Sequence, residues 1–386
     1  MRTLITGASG FLGRYVVREL RGRGQAVTAM VRPSRAVPTE LAALDVEVLR
    51  CDLRRPGPEL ARELERCDAV VHLAAGTSGS ARSRFDATVL ATERLIDAMH
   101  EVGWRGRLVH VSTFAVYAFN QVSAGGVIDE STPLEPHLDR RDDYAWVKSV
   151  QERLVGELRG EGAVEVVVVR PGAVYGQERQ FQHRLGRRLG AGAVLLIGGR
   201  NLMPLSYVEN TAALLAECTV NPRAAGETFN AVDPEPPRQY SYLRRWRRAQ
   251  PGPVRVIPLP LTVYNAIAAG YELAGRLSGG WISSPGMLAR YPMMPNLRSY
   301  RYDTDRAATV LSWRPPVART QAFARAFAAT PPQATAPARP GGERDVRHAG
   351  CAEGTRPLSL VAARASGAVA PEQNGNPKRE GVKARG

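Results

Sequence analysis

Six residues into the chain, Thr6-Gly7-Ala8-Ser9-Gly10-Phe11-Leu12-Gly13 joins an apolar β-rich run, Thr3 to Thr6, to a helical pattern, Leu12 to Arg23. Glycines at this spacing, at a strand-to-helix junction, admit few folds. Gly7 permits the tight turn, Gly10 lets backbone N–H groups approach a pyrophosphate at the helix N-terminus, and Gly13 lets helix and sheet pack closely. The strand before and the helix after separate a dinucleotide-binding signature from three chance glycines. Ser9, Phe11 and Leu12 lie within the turn and are expected to line the cofactor with Gly7, Gly10 and Gly13.

The rest of the first half alternates strand and helix in the same way. Val27 to Val31, Val46 to Leu49, Ala69 to Leu73, Arg107 to Ser112 and Val164 to Val169 read as strands buried on both faces. Pro58 to Glu65, Thr88 to His100 and Tyr144 to Arg159 carry apolar residues at three and four, as crossover helices do. The alternation predicts an α/β fold of Rossmann type, a doubly wound parallel sheet. Residues 1–175 are read as the nucleotide-binding domain with the catalytic residues. Residues 176–329 are read as a smaller interleaved substrate lobe, with a helical stretch at Arg179 to Leu189, a strand at Ala193 to Ile197 and a helix at Asn210 to Cys218. From residue 330 to 386 Ala, Pro, Gly and Arg dominate without period, which predicts a disordered tail.

Composition removes several classes. Four scattered cysteines fit neither a zinc site nor a disulfide scaffold, and they suit reduced thiols in a cytoplasm. Met1 leads directly into the first strand, without the apolar core of a secretory signal. No apolar run reaches the roughly 18 residues of a spanning helix; Val254 to Ala274 comes nearest but holds Pro258, Pro260, Asn265 and Glu272. The formal charge of +15 raises the question of nucleic acid. The densest run, Arg244-Arg245-Trp246-Arg247-Arg248, has helical spacing that spreads its arginines over a solvated face, so nucleic acid is disfavoured. The expected partner is a small-molecule substrate; a homodimer stays open, and no integral membrane segment is expected.

The end of the second strand, Val31-Arg32-Pro33-Ser34-Arg35, offers no carboxylate for the adenosine ribose hydroxyls of NAD. Arg32 and Arg35 suit the 2′-phosphate of NADP instead, which favours NADP over NAD. Cys51-Asp52-Leu53 is placed beside the adenine, with Asp52 accepting from its amino group or capping a helix. Tyr144 and Lys148 stand one helical turn apart, so both project from one face. A neighbouring ammonium favours the phenolate, which lets a tyrosine exchange a proton near neutrality. Upstream, Ser112 and Thr113 end a strand at the carboxyl edge, where open α/β sheets place ligands.

Together these motifs resemble the extended short-chain dehydrogenase/reductase family, also called the NAD-dependent epimerase/dehydratase family. The resemblance runs from Met1 to about Pro315 and includes Val70-Val71-His72-Leu73-Ala74-Ala75, Arg170-Pro171-Gly172-Ala173-Val174-Tyr175-Gly176, Tyr207-Val208-Glu209-Asn210 and Leu311-Ser312-Trp313-Arg314-Pro315. It implies Tyr144 as general acid/base, Lys148 holding the nicotinamide ribose and lowering the tyrosine pKa, and Thr113 hydrogen-bonding the reacting oxygen. It also puts Ala74 and Leu53 against the cofactor. His72 and His110, each inside an apolar strand, are read as hydrogen-bonded structural histidines, and Tyr175 as either a pocket wall or a packed aromatic.

Family membership leaves net oxidoreduction and epimerisation open. Met203 stands where nucleotide-sugar members carry a diphosphate-gripping arginine, and Phe114-Ala115 lacks the Asp-Glu pair of dehydratases. Val256-Ile257-Pro258-Leu259-Pro260 and the apolar stretch Leu261 to Ala274 resemble the substrate lobe of hydroxysteroid-dehydrogenase-like reductases. They are read either as apolar walls for a less polar substrate or as a helix packed on the core. The expectation is an NAD(P)-dependent oxidoreductase acting on an alcohol/carbonyl pair; the alternatives are a nucleotide-sugar epimerase with tightly bound NAD and a non-catalytic nucleotide- or RNA-binding regulator. One departure is Thr88-Val89-Leu90-Ala91-Thr92, where the family often has Asn before Val-x-Gly-Thr.

Overall fold

Short β-branched runs separated by amphipathic helices leave each strand with two faces to bury, and a parallel sheet between helical layers satisfies both. In the computed structural model, which describes residues 1–328 except 191, 280 and 282–287, that is the arrangement. Strands β1 (Arg2–Thr6), β2 (Ala26–Val31), β3 (Glu47–Arg50), β4 (Ala69–His72), β5 (Arg107–Val111), β6 (Glu165–Pro171) and β7 (Thr228–Ala231) pair in the order β3-β2-β1-β4-β5-β6-β7. Every pairing in this sheet is parallel, with Thr3 opposite both Val27 and Ala69, and Val109 opposite Val71 and Val167. The chain reverses its winding direction between β1 and β4, the place where such sheets open a crevice for ligand.

Alternation along the strands divides the core. Ile5, Val71, Val109 and Val167 face α1 (Phe11–Gly22) and a later helix, Val208–Val220, through Val16, Leu20 and Leu215. Their neighbours Leu4, Val70, Leu108 and Val166 face the other layer, built from α2 (Pro58–Arg66), α3 (Ala91–Glu101) and α4 (Asp143–Glu161). α4 starts on Asp142, whose carboxylate accepts from the N–H groups of Tyr144 and Ala145 at 3.1 and 3.0 Å, and it ends on Gly162 in the left-handed region. The cap thereby fixes the turn that carries Tyr144.

Beyond Pro171 the structure departs from expectation in two places. The stretch Arg179 to Leu189 is not helical: it holds a single 3₁₀ turn, His183–Leu185, and a strand, Arg187–Leu189. The reason is tertiary, since Arg188 pairs with Val194 and a Cβ on Gly186 would meet the Leu195 carbonyl. The seventh strand, β7, is not apparent from sequence; its four residues are too few to show a period, and pairing with Val168 to Pro171 of β6 is what orders them.

The region 176–329 therefore returns both β7 and the helix Val208–Val220 to the central layers. All described residues belong to one compact unit. The tail expected at 330–386 lies outside the described residues. On the helix Gln239–Arg248, Tyr242 and Trp246 turn inward while Arg244, Arg245, Arg247 and Arg248 are exposed. Among the described residues no helix is long and apolar enough to cross a membrane.

Candidate active site

The glycine turn crosses the carboxyl end of β1. Gly7 adopts φ +69°, and a Cβ there would lie 3.0 Å from the backbone of Leu73 and Ala74 at the end of β4. Gly10 donates to the Gly7 carbonyl at 2.9 Å and opens α1 with no side-chain cap and no acid in its first turn. A Cβ on Gly13 would collide with the Gly7 carbonyl and stand 2.8 Å from the Ala8 backbone. The first N–H groups of α1 thus lack intrahelical partners and sit at the positive end of the helix dipole, a fit for a pyrophosphate. Ser9, Phe11 and Leu12 are all half-buried along the same turn, and Gly10 is exposed.

The rim expected to meet the adenosine end lies at β2 and β3. Arg32 is exposed there, and it acts with Arg54 to hold the Asp52 carboxyl below its usual range, the Arg54 hydrogen bond being the larger influence. Asp52 accepts from Arg54 Nε at 3.0 Å and from the Arg54 backbone N–H at 3.1 Å. Its carboxylate thus holds a local turn and an ion pair with Arg54. Leu53 is buried behind it, in one cluster with Leu4, Met30 and the half-buried Ala74.

On the other side of the crevice, Thr113 follows β5 and caps a 3₁₀ turn, Phe114–Val116, accepting from the Ala115 N–H at 3.3 Å. Tyr144 reaches across from α4, and its phenol shares a side-chain hydrogen bond with Thr113. Buried Arg141 joins their two segments: it pairs with Glu135 at 3.1 Å and donates to the Ala115 carbonyl at 3.2 Å. Arg179, which no sequence motif singles out, lies over the Phe11 ring at 5.5 Å and exerts its charge on Tyr144. It therefore links the glycine turn to the phenol.

The expected depression of the tyrosine is absent. Burial pushes the Tyr144 phenol above its ordinary value despite Thr113 and Arg179, because Lys148 points elsewhere. Lys148 Nζ donates to the Val111 carbonyl at 2.8 Å and to Gln151 Oε1. Burial pushes this amine down to about 7, against the opposing charge of Glu152.

Gln151 likewise carries no sequence signal, and it ties the lysine to the glycine turn. Its amide donates to Thr92 Oγ1 at 2.7 Å and to the Ala74 carbonyl at 3.4 Å. His72 completes the link, with Nε2 at 2.8 Å from Thr92 Oγ1 and Nδ1 at 2.8 Å from Thr6 Oγ1. Thr92 donates to the Thr88 carbonyl and so accepts from His72; the ring is then the Nε2–H tautomer, and its Nδ1 accepts a hydrogen bond from the Thr6 hydroxyl. Burial, reinforced by Lys148, pushes His72 down to about 3 and His110 well below its ordinary value, so both rings are neutral near pH 7. His72 is the hydrogen-bonded structural histidine expected, whereas neither ring nitrogen of buried His110 has a partner among the described residues.

The Thr88-to-Thr92 departure belongs to the same network. Residues 86–90 form a π turn leading into α3, and Thr88 Oγ1 accepts from the Gly76 N–H at 2.9 Å, securing the loop after β4. Glu152 pairs with Arg170 and accepts from Ser112, which commits Ser112 to scaffolding and leaves Thr113 beside Tyr144. Tyr175 is fully buried against Tyr207, Tyr242 and Phe323, a packed aromatic. Met203 is buried in that same cluster.

Comparison with known proteins agrees with this geometry. The chain is 32% identical over 216 residues to a 2-alkyl-3-oxoalkanoate reductase of Stenotrophomonas maltophilia, covering 55% of this chain and 63% of that protein. It thus spans less than two thirds of that relative's length. A 4-hydroxy-2-methyl-3-oxo-4-farnesyl-3,4-dihydroquinoline-1-oxide ketoreductase of Stigmatella aurantiaca is 31% identical over 273 residues, 69% of this chain and 79% of that one. Among solved structures, the UDP-glucose 4-epimerase of Thermus thermophilus in complex with NAD superimposes with a TM-score of 0.61 at 20% identity, over 85% of this chain and 98% of that one. The sequence profile of the NAD dependent epimerase/dehydratase family matches residues 3–231, more than half of the chain, and the protein belongs to that family.

Proposed function

We propose that the protein is an NAD(P)-dependent reductase or dehydrogenase that moves a hydride between the nicotinamide and the carbon of an alcohol/carbonyl pair. The observation that carries this reading is the convergence of Thr113 and Tyr144 beside a glycine turn to which Lys148 is tied through Gln151. The turn and the N-terminus of α1 hold the pyrophosphate, and Lys148 reaches the nicotinamide ribose. The bound nucleotide supplies or accepts the hydride. Thr113 orients the substrate oxygen by hydrogen bonding, and Tyr144 gives that oxygen a proton in reduction and withdraws it in oxidation. Arg141 and Gln151 hold these groups in register.

The less polar end of the family's substrate range fits best. Met203, sealed among aromatic rings, supplies no cation for a diphosphate at the position where nucleotide-sugar members have arginine. The names of the two relatives above both carry an oxo group together with an alkyl or farnesyl chain. A cytoplasmic location suits the buried thiols of Cys51, Cys67 and Cys218.

NADP is the favoured nucleotide, because Arg32 and Arg54 flank the one carboxylate at the adenosine rim and Arg54 already neutralises it. Replacing Arg32 with Glu is expected to weaken NADP at least about tenfold and leave NAD nearly unchanged, as loss of a charge-assisted phosphate bond would. Dissociation constants for both nucleotides check this, and a wild-type preference for NAD would refute the assignment. Purification separates the two reactions. Nucleotide that exchanges freely and is consumed stoichiometrically supports a reductase, whereas nucleotide retained through turnover supports an epimerase.

The buried amine also predicts a pH profile. Lys148 carries its charge below about 7 and loses it above, so its hold on the nicotinamide ribose weakens as pH rises through that value. The kcat/KM for carbonyl reduction, which reports the free enzyme, is expected to fall along that limb. Lys148→Met should be slow and lack the limb; a wild-type profile flat into the ordinary lysine range would overturn the role.

A further inference from the structure

The helix Leu261–Leu277, which its sequence allows as a pocket wall or a core helix, turns most of its apolar surface to solvent. Of its 17 residues only Tyr264 and Ala268 are buried. Ile267 is 41% exposed, Leu273 57%, Leu277 81%, and Trp281 just beyond the helix 94%. Its single carboxylate, Glu272, is bridged to Arg290 at 3.6 Å, and its other charge is the exposed Arg276. An apolar face of this size on a folded chain marks a surface that meets something.

The surface extends beyond the helix. Strands Arg187–Leu189, Ala193–Ile197 and Arg255–Leu259 form a small sheet whose register sets Leu189, Ala193 and Arg255 in one row and Arg187, Leu195 and Ile257 in the next. Alternation sends Val194 and Leu196 inward to Trp246, which leaves Leu189 and Ile257 exposed with Arg187 and Arg255 among them. Ile197 and Leu259, in the last row of that outer face, pack on Tyr264 and Ala268. Sheet face and helix are thus one continuous surface, apolar within and set with arginines.

We propose that this surface seats the protein on an anionic lipid bilayer, lying in the headgroup region without crossing it. Leu, Ile, Tyr and Trp side chains bordered by arginine are the composition of an interfacial element, and the cations add attraction to anionic headgroups. The other occupants meet like charge. A second copy related by two-fold symmetry would bring the same arginines together. The chain beyond residue 328 holds more Lys and Arg than Asp and Glu, so it too is repelled. This assignment stands apart from the reaction proposed above.

The test is co-sedimentation of the full chain with vesicles of phosphatidylcholine alone or of equal parts phosphatidylcholine and phosphatidylglycerol. Binding is expected on the anionic vesicles and is expected to weaken with added salt. Arg187→Gln and Arg255→Gln should each lower partitioning about fivefold, and an I267S/L273S/L277S variant by more than about tenfold. Nucleotide affinity and the thermal unfolding midpoint serve as controls for folding. Trp281→Ser, at a site with almost no packing to lose, provides a mild second variant that should also weaken binding, and Trp281 emission should shift to the blue when vesicles are added. Failure to bind anionic vesicles would overturn the proposal. So would binding that is indifferent to these substitutions, or a concentration-dependent dimer that the apolar substitutions abolish.

Discussion

Tyr144→Phe is expected to lower kcat by about 10²- to 10⁴-fold, the usual worth of a positioned proton donor, while NAD(P)H still binds with its original affinity. The substitution removes one oxygen. The ring stays on α4 under the Asp142 cap, and the phenol's one identified side-chain partner is Thr113, so neither the glycine turn nor the Lys148 network is disturbed. Carbonyl reduction then lacks the group that protonates the nascent alkoxide. Steady-state kinetics with a fluorescence titration of NADPH check both halves, and a kcat within about twofold of wild type would remove Tyr144 from the mechanism. Because burial raises this phenol above its ordinary value, it is protonated across the neutral range and is better matched to reduction than to alcohol oxidation.

Gly13→Ala carries the other large effect. The added Cβ meets backbone on every near side, the Gly7 carbonyl and Ala8, so no side chain can swing away and α1 must move from the turn. A loss of about 1–3 kcal/mol of stability is expected, as for other overpacked sites, together with nucleotide binding at least about tenfold weaker. Gly22, at the far end of the same helix, has open space around its Cβ position. Gly22→Ala should therefore stabilise the chain by roughly 0.5–1 kcal/mol without touching nucleotide affinity. Thermal denaturation and nucleotide titration of the pair separate a helix-propensity effect from a packing effect. Equal behaviour of the two variants would mean that close approach at Gly13 is not what the turn requires.

Much of this is legible in the sequence because it is local. Ile5, Val71, Val109 and Val167 sit in short β-branched runs whose burial on both faces shows in their composition. Asp142 precedes Tyr144 as a helix cap must, and Tyr144 and Lys148 share a face through helical spacing alone. The departures are of the opposite kind. The stretch Arg179 to Leu189 carries Phe181, Leu185 and Leu189 at a spacing that suits a helix, yet its end, Arg187–Leu189, is a strand because Ala193–Ile197 offers its backbone groups. Thr228–Ala231 has no pattern of its own and is a strand because β6 is beside it. The pairing of Asp52 with Arg54, two residues on, has no signature in the sequence and comes from the turn that brings their side chains together.

The sequence by itself determined the strand-turn-helix that carries Gly7, Gly10 and Gly13, the doubly wound class, and the residue types able to move a proton. These arise from backbone sterics and side-chain period, which act over a few residues. Only the tertiary structure decided that Lys148 turns to Gln151 rather than to the phenol, that His72 is a strut between Thr6 and Thr92, that Arg179 lies between the turn and Tyr144, and that the helix at 261–277 faces outward. Each depends on which strand lies beside which. Burial and the charges gathered by the fold, not chemical identity, then set whether a group is protonated and what it can reach.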